Sequence, residues 1–130
     1  MKVISVVLAC LTLASGGAMA ASDAEIEKAL QELSRTTNAQ LPTGNDASMT
    51  IGVAAGPGKR FTYFSVSGVP SSEWTSAMRA HSYQIAVNSY CTDPGMLPFR
   101  DYGVTVAWSS SDKMGRHIYT NAVSPRDCQQ

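Results

Sequence analysis

The sequence predicts an α+β fold in the order αββαββ, with an antiparallel four-stranded sheet, two helices packed on one face, and one disulfide. Three observations lead there. Two stretches carry apolar residues at helical spacing, and four carry the alternation or aromatic richness of strands. The strands come as two pairs, each joined by a short turn containing glycine. Helices separated by hairpins suit a sheet that carries its helices on one face.

The elements follow in order. Ser22-Asp23-Ala24-Glu25 has the form of a capping box, and Ile26, Ala29, Leu30 and Leu33 then recur at i, i+3, i+4 and i+7. Asp23, Glu25 and Glu27 occupy the first turns, where the helix dipole favours negative charge. This helix is expected to fade across Ser34–Asn38 and to end before Pro42. Thr43-Gly44-Asn45-Asp46 reads as a turn. Met49, Ile51, Val53 and Ala55 alternate with smaller or polar residues, and Gly56-Pro57-Gly58 closes that strand. A second strand spans about Arg60 to Ser67. Phe61 and Tyr63 fall on one face and Phe64 on the other, which implies cover on at least part of each. Ser71 or Ser72 then caps a second helix running to about Tyr90, with Trp74, Ala77, Met78, His81 and Ile85 as its apolar face. Thr92-Asp93-Pro94 opens a short helix limited by Pro98. Val104, Val106 and Trp108 mark a third strand. A hairpin loop over Ser111–Gly115 leads to a fourth, from about Arg116 to Val123.

The ends set the compartment. Met1-Lys2, an apolar Val3–Leu13 and Ala18-Met19-Ala20 have the order of a secretion signal cleaved after Ala20. That run is too short to span a bilayer, and no other apolar run in the sequence has spanning length. A lipoprotein reading of Val7-Leu8-Ala9-Cys10 competes with it, at the cost of a very short apolar run before the cysteine. Residues 21–130 are then a single α+β domain, expected in the periplasm or outside the cell. Cleavage removes Lys2, so nine of the ten basic residues face ten acidic ones, a net charge of −1. With no basic stripe, nucleic acid is not an expected partner. Cleavage also removes Cys10 and leaves Cys91 and Cys128. An even pair in an oxidising compartment is expected to form a disulfide, and no CxxC spacing supports a redox or metal role.

Chemistry-bearing residues are sparse. His81 and His117 have no HExxH or cysteine partners, no G-x-S-x-G motif occurs, and no S-x-x-K stands at an expected helix start. Glu73, Asp93, Asp101, Asp112 and Asp127 fall in expected caps and turns. No catalytic residue, metal or cofactor is therefore expected. Gly56-Pro57-Gly58-Lys59-Arg60 lacks the spacing of a phosphate loop and reads as a hairpin turn with a basic shoulder. Tyr90, Met96, Phe99, Arg100, Asp101 and Tyr102 gather around the Cys91 connection, and aromatic, Met and Arg side chains are enriched at interfaces. These six are the candidate partner-binding residues. A locally packed loop beneath the disulfide accounts for the same cluster.

Several segments together bear a resemblance: Leu41-Pro42, Ala55-Gly56-Pro57-Gly58 with Phe61-Thr62-Tyr63, Asn88-Ser89-Tyr90-Cys91-Thr92, and Gly103-Val104-Thr105-Val106, with Asp112, Gly115 and Cys128. The chain resembles small exported single-disulfide bacterial proteins of largely unknown function, which implies fold and address and no site residue. The expected function is a periplasmic protein-binding module. It would be an inhibitor or immunity protein against a cell-wall-active enzyme, or an accessory of an envelope or secretion system, with another envelope protein as partner. The alternatives are a small hydrolase built around His81 or His117, and a small-ligand carrier with a pocket between helix two and the sheet near Trp74 and Trp108.

Overall fold

A computed structural model describes residues 21–129. The proposed signal and the Cys10 lipobox lie outside them. The first helix, α1 (Asp23–Asn38), is capped by Ser22, whose hydroxyl accepts from Glu25 N at 3.2 Å. Ile26, Leu30 and Leu33 are buried, as their spacing predicts. The helix persists through Asn38 instead of fading at Ser34. The Ser34 and Thr36 hydroxyls donate to the Gln31 and Glu32 carbonyls, so they bond within the helix and do not compete with it.

The sheet has five strands in chain order: β1 (Thr43–Gly44), β2 (Ser48–Gly56), β3 (Arg60–Ser67), β4 (Thr105–Asp112) and β5 (His117–Val123). The sequence reading counted four, because the two residues of β1 looked like part of a turn. Asn45 Oδ1 accepts from Ala47 N and Ser48 N and folds β1 back on β2. Gly44 has φ +135°, and a Cβ there would lie 2.4 Å from Ser48 O, so no other residue fits.

The wholly antiparallel expectation also needs correction: β3 and β4 pair in parallel. The second helix, α2 (Ser76–Thr92), lies between them. At 1.5 Å per residue, its 17 residues carry the chain about 25 Å back along the sheet, so β4 starts at the same end as β3. Two antiparallel hairpins are thus joined by a helical crossover. The cap of α2 is Thr75, not Ser71 or Ser72, which lie in a 3-10 turn, and Trp74 precedes the helix. The buried side of α2 is Tyr83, Ala86, Val87 and Tyr90, while Met78, His81 and Ile85 of the expected face are exposed.

Both long helices share one core with the same sheet face. A short third helix, α3 (Leu97–Asp101), closes one end after Asp93 caps Gly95 N at 2.8 Å. Cys91, near the end of α2, is bonded to Cys128 in the 3-10 tail Pro125–Gln129, with Cα atoms 5.4 Å apart. The other sheet face is covered only in part: Phe64 there is 40% exposed, while Ala107 is fully buried.

Candidate functional site

The covered face of the sheet changes character along its strands. The registers place Ala55, Phe61, Val106 and Val123 in one row and Val53, Tyr63, Trp108 and Asn121 in the next. The row after that is Thr50, Ser65, Ser110 and Tyr119. The first row is solid core. By the third, small hydroxyl side chains replace bulky apolar ones and no longer fill the space beneath the helices. There α1 and α2 stand apart and a groove of about 630 Å³ opens between them. Tyr63, Ser65, Trp108, Tyr119 and Asn121 contribute to its floor. Thr37 near the end of α1, with Gln40 and Leu41 just beyond it, forms one wall, and Ser82, Ile85, Ala86 and Ser89 of α2 the other. Trp74 and Met96 also line it.

The floor is held by an aromatic ladder. Phe99 stacks on Phe61 at 5.6 Å between ring centroids, Phe61 meets the edge of Tyr63 at 5.3 Å, and Tyr63 stacks on Trp108 at 6.0 Å. Trp74 leans on Tyr119 at 5.5 Å. Its backbone is clamped by Arg79, which donates to Trp74 O at 2.6 Å and to Ile118 O at 3.0 Å. The groove is thus largely preformed. Ile85 remains 56% exposed on its wall, an apolar side chain presented to the opening.

Electrostatically the site is neutral. Among the described residues no Asp, Glu, Lys, Arg or His lines it. Burial, with a smaller contribution from the Asp93 charge, pushes the Tyr63 phenol well above its ordinary range, so it stays protonated. Three buried side-chain polar atoms have no hydrogen-bond partner among the described residues: Thr37 Oγ1, Tyr63 Oη and Trp74 Nε1. All three residues line this groove.

The six residues expected to meet a partner are mostly elsewhere. Tyr90 and Phe99 are core: the Tyr90 hydroxyl donates to Val104 O at 2.7 Å, and Phe99 is the buried end of the aromatic ladder. They present no surface to a partner. Arg100 donates to the Tyr90 and Asp93 carbonyls and so ties α3 to the end of α2. Tyr102 is half-buried, and its carbonyl accepts from Lys59 Nζ at 3.2 Å, while Asp101 is exposed. Met96 alone of the six reaches the groove. The cluster is mainly the packed layer beneath the disulfide, and it supports the groove floor from behind. The pocket expected between helix two and the sheet near Trp74 and Trp108 is present and lined by both. Sequence reasoning missed Tyr63, Thr37 and Leu41 on it, and placed Ile85 in the core. The signal that could have found Ile85 was the second stripe of α2, Tyr83-Ala86-Val87-Tyr90, with the same spacing.

Catalytic groupings do not assemble. Both histidines are exposed, and His117 Nε2 lies 3.3 Å from Thr120 Oγ1. Among the described residues no carboxylate bonds either ring, and no three His, Cys, Asp or Glu side chains are placed to hold a metal. The Lys59 side chain bridges Asp23 and Tyr102 O, so this half of the basic shoulder of the β2–β3 turn is engaged within the fold. No described helix is long and apolar enough to cross a membrane.

No family model matches the sequence, and no curated protein matches it. The fold has solved counterparts. The chain is similar to EpsS, the pilotin of the Vibrio vulnificus type 2 secretion system, with a TM-score of 0.69 at 14% identity, over 83% of this chain and 96% of that one. It is similar to a secreted protein from Pseudomonas aeruginosa, with a TM-score of 0.68 at 19% identity, over 84% and 99%. It is also similar to AspS, the type II secretion system pilotin of Vibrio cholerae, with a TM-score of 0.60 at 17% identity, over 81% and 97%. Identities this low establish a shared fold.

Proposed function

We propose that this protein is a non-enzymatic accessory of a type II-like secretion machine in the cell envelope, and that it works by holding an apolar segment of another envelope protein in the groove between α1 and α2. The observation that carries this is the groove itself: a preformed, uncharged trough on the helix side of the sheet, with Ile85 exposed on its rim. A sheet face covered by helices on either side and bare between them has room for one more apolar element. An amphipathic helix laid into such a trough buries its apolar stripe against the walls. A rigid aromatic floor lowers the entropic cost of that docking. Two pilotins with this fold along nearly their whole length support the secretion setting. The signal read in residues 1–20 agrees with a periplasmic address. Neither an inhibitor nor an immunity role draws comparable support.

The test is Ile85→Arg in the native host. The side chain is largely exposed, so the variant is expected to fold, while an arginine on the rim would have to be desolvated by an apolar occupant. Export through the type II machine should fall to the level of a deletion strain, and a photo-crosslinker placed at Ile85 should lose its adduct when the machine is deleted. Normal export with the variant present at wild-type abundance refutes the proposal. A second reading, a carrier of a small apolar ligand, is favoured by the two tryptophans, since the cavity is of ligand size. It predicts saturable quenching of tryptophan fluorescence by a small molecule, lost in Trp108→Phe.

A further inference from the structure

We propose that one end of the sheet is a membrane-contacting edge, at which the β4–β5 hairpin tip and the turn after β3 seat their apolar side chains, Met114 and Val69, in the interface of an anionic phospholipid bilayer. The two turns are neighbours. Ser67 and Asp112 are register partners at the ends of β3 and β4, and Asp112 Oδ2 accepts from Ser71 N at 2.8 Å. Met114 is 79% exposed, the most exposed large apolar side chain among the described residues. Val69 is 36% exposed, and Pro70 beside it is exposed too. A lone apolar side chain on a surface is ordinary. Here two adjoining turns each present one, and the basic side chains of Lys113 and Arg116 stand exposed on either side of Met114.

The backbone of both turns suits the same surroundings. A polar group taken out of water without a partner is costly, so a segment that enters a bilayer interface gains by bonding its own amides. Gly68 N donates to Ala47 O at 3.0 Å, Val69 N donates to Ser67 Oγ at 3.0 Å, and Pro70 has no N–H. Met114 N and Arg116 N both donate to Asp112 Oδ1, at 3.0 and 2.9 Å, and Gly115 N donates to Asp112 O at 2.9 Å. The Asp112 carboxylate that gathers them is itself buried, so it meets no headgroup. The apolar tips enter between headgroups while Lys113 and Arg116 reach the phosphates beside them. Asp46 and Glu73 are exposed in nearby turns, so the attraction is local to the hairpin. The apolar points are few and separated by basic ones. That pattern suits mobile lipid better than the core of a protein interface, which is depleted in charge. Two short side chains hold far less than an acyl chain, so the contact is reversible and orients the protein. The groove's third row lies two residues inward along β3 and β4, so this end brings the groove close to the bilayer surface. The inference does not depend on what the groove binds.

The test is co-sedimentation of the purified exported chain, its disulfide intact, with sucrose-loaded vesicles of phosphatidylethanolamine and phosphatidylglycerol. The native chain should bind at millimolar lipid. Met114→Ser combined with Val69→Ser should bind about fivefold more weakly, as expected for two apolar side chains that are partly buried on binding. Lys113→Gln combined with Arg116→Gln should bind about three- to tenfold more weakly and lose most of the native sensitivity to salt. All four positions are exposed, so both double variants should melt with the native chain. An environment-sensitive probe on Met114→Cys should shift to the blue when vesicles are added. The same probe on Lys28→Cys should not shift, because Glu27 Oε1 accepts from Gly58 N at 2.8 Å and so places that part of α1 at the opposite end of the sheet. Ile85→Arg should bind vesicles as the native chain does. Either double variant within twofold of native, or a probe at position 114 that stays water-like, would overturn the inference. Binding lost in Ile85→Arg but kept in the Met114 and Val69 variant would move the bilayer contact to the groove and overturn it as well. So would a photo-crosslinker at position 114 that captures a protein in cells while the native chain fails to bind vesicles, which would assign the tip to a protein partner.

Discussion

Replacing Cys91 and Cys128 together with alanine tests how much of the fold depends on its staple. The bond spans a sequence separation of 37. In the chain-entropy relation a loop of that size restricts the unfolded chain by about 13 cal/mol/K, or about 4 kcal/mol at 25 °C. A domain of this size unfolds with an entropy of roughly 0.2 kcal/mol/K, so the loss corresponds to a fall in melting temperature on the order of 15–20 °C. Most of the effect acts on the unfolded state. The released chain exposes more surface, so the slope of stability against urea should steepen while the native circular dichroism is unchanged. The assay is urea and thermal unfolding of the oxidised native chain and the double variant, each with and without reductant. Reductant should bring the native chain to the variant's curve and leave the variant where it is. A double variant within about 1 kcal/mol of the oxidised protein, with an unchanged urea slope, would refute the loop-entropy argument.

Three further outcomes follow from named contacts. Tyr90→Phe removes the buried donor to Val104 O and should cost about 1–2 kcal/mol in urea unfolding with little change in near-ultraviolet signal. Asn38→Ala removes two bonds to the Val53 backbone and should cost about 1–2 kcal/mol; amide exchange at Val53 should accelerate, and the freed edge should aggregate more readily. Asp112 accepts backbone hydrogens from Ser71, Met114 and Arg116, which lower its pKa from 3.8 to about 2. Its contribution to stability is therefore complete above about pH 4 and lost as the pH falls toward 2. Asp112→Asn should flatten that acid-side decline in the urea midpoint and lower the midpoint at pH 7.

Local features were legible in the sequence and pairings were not. The Ser22 cap, the Ile26-Leu30-Leu33 stripe, the Gly56–Gly58 turn and the Asp93-Pro94 helix start each depend on neighbours a few residues away. Cys91 and Cys128 were the only pair left once Cys10 was assigned to the signal. The parallel contact of β3 with β4 is set by where α2 returns the chain, which no strand pattern encodes. Helix α2 carries two apolar stripes of equal spacing, and periodicity alone cannot say which one meets the sheet. The cluster of Tyr90, Met96 and Phe99 has a composition common to cores and interfaces, so only burial distinguishes the two. The groove depends on the third row of the sheet, where Thr50, Ser65 and Tyr119 from three separate strands line it.

The way the sheet edge is closed favours the proposed docking in the groove over strand addition. Beyond the two residues of β1, the outer side of β2 would be a template for an added strand. Instead Asn38 at the end of α1 donates to Val53 O at 2.9 Å and accepts from Val53 N at 2.8 Å, occupying both backbone groups as a neighbouring strand would. One helical stretch earlier, Gln31 donates to Ala55 O at 3.3 Å. Helix α1 thus covers β2 with its buried stripe and seals the strand's edge with its polar side chains. Strand addition on this side would have to displace Asn38 and lose both of its bonds. Sealing the edge also fixes where α1 ends, and therefore where the wall of Thr37, Gln40 and Leu41 stands across from Ile85. The same contacts that close this sheet edge to an added strand hold one wall of the groove in place.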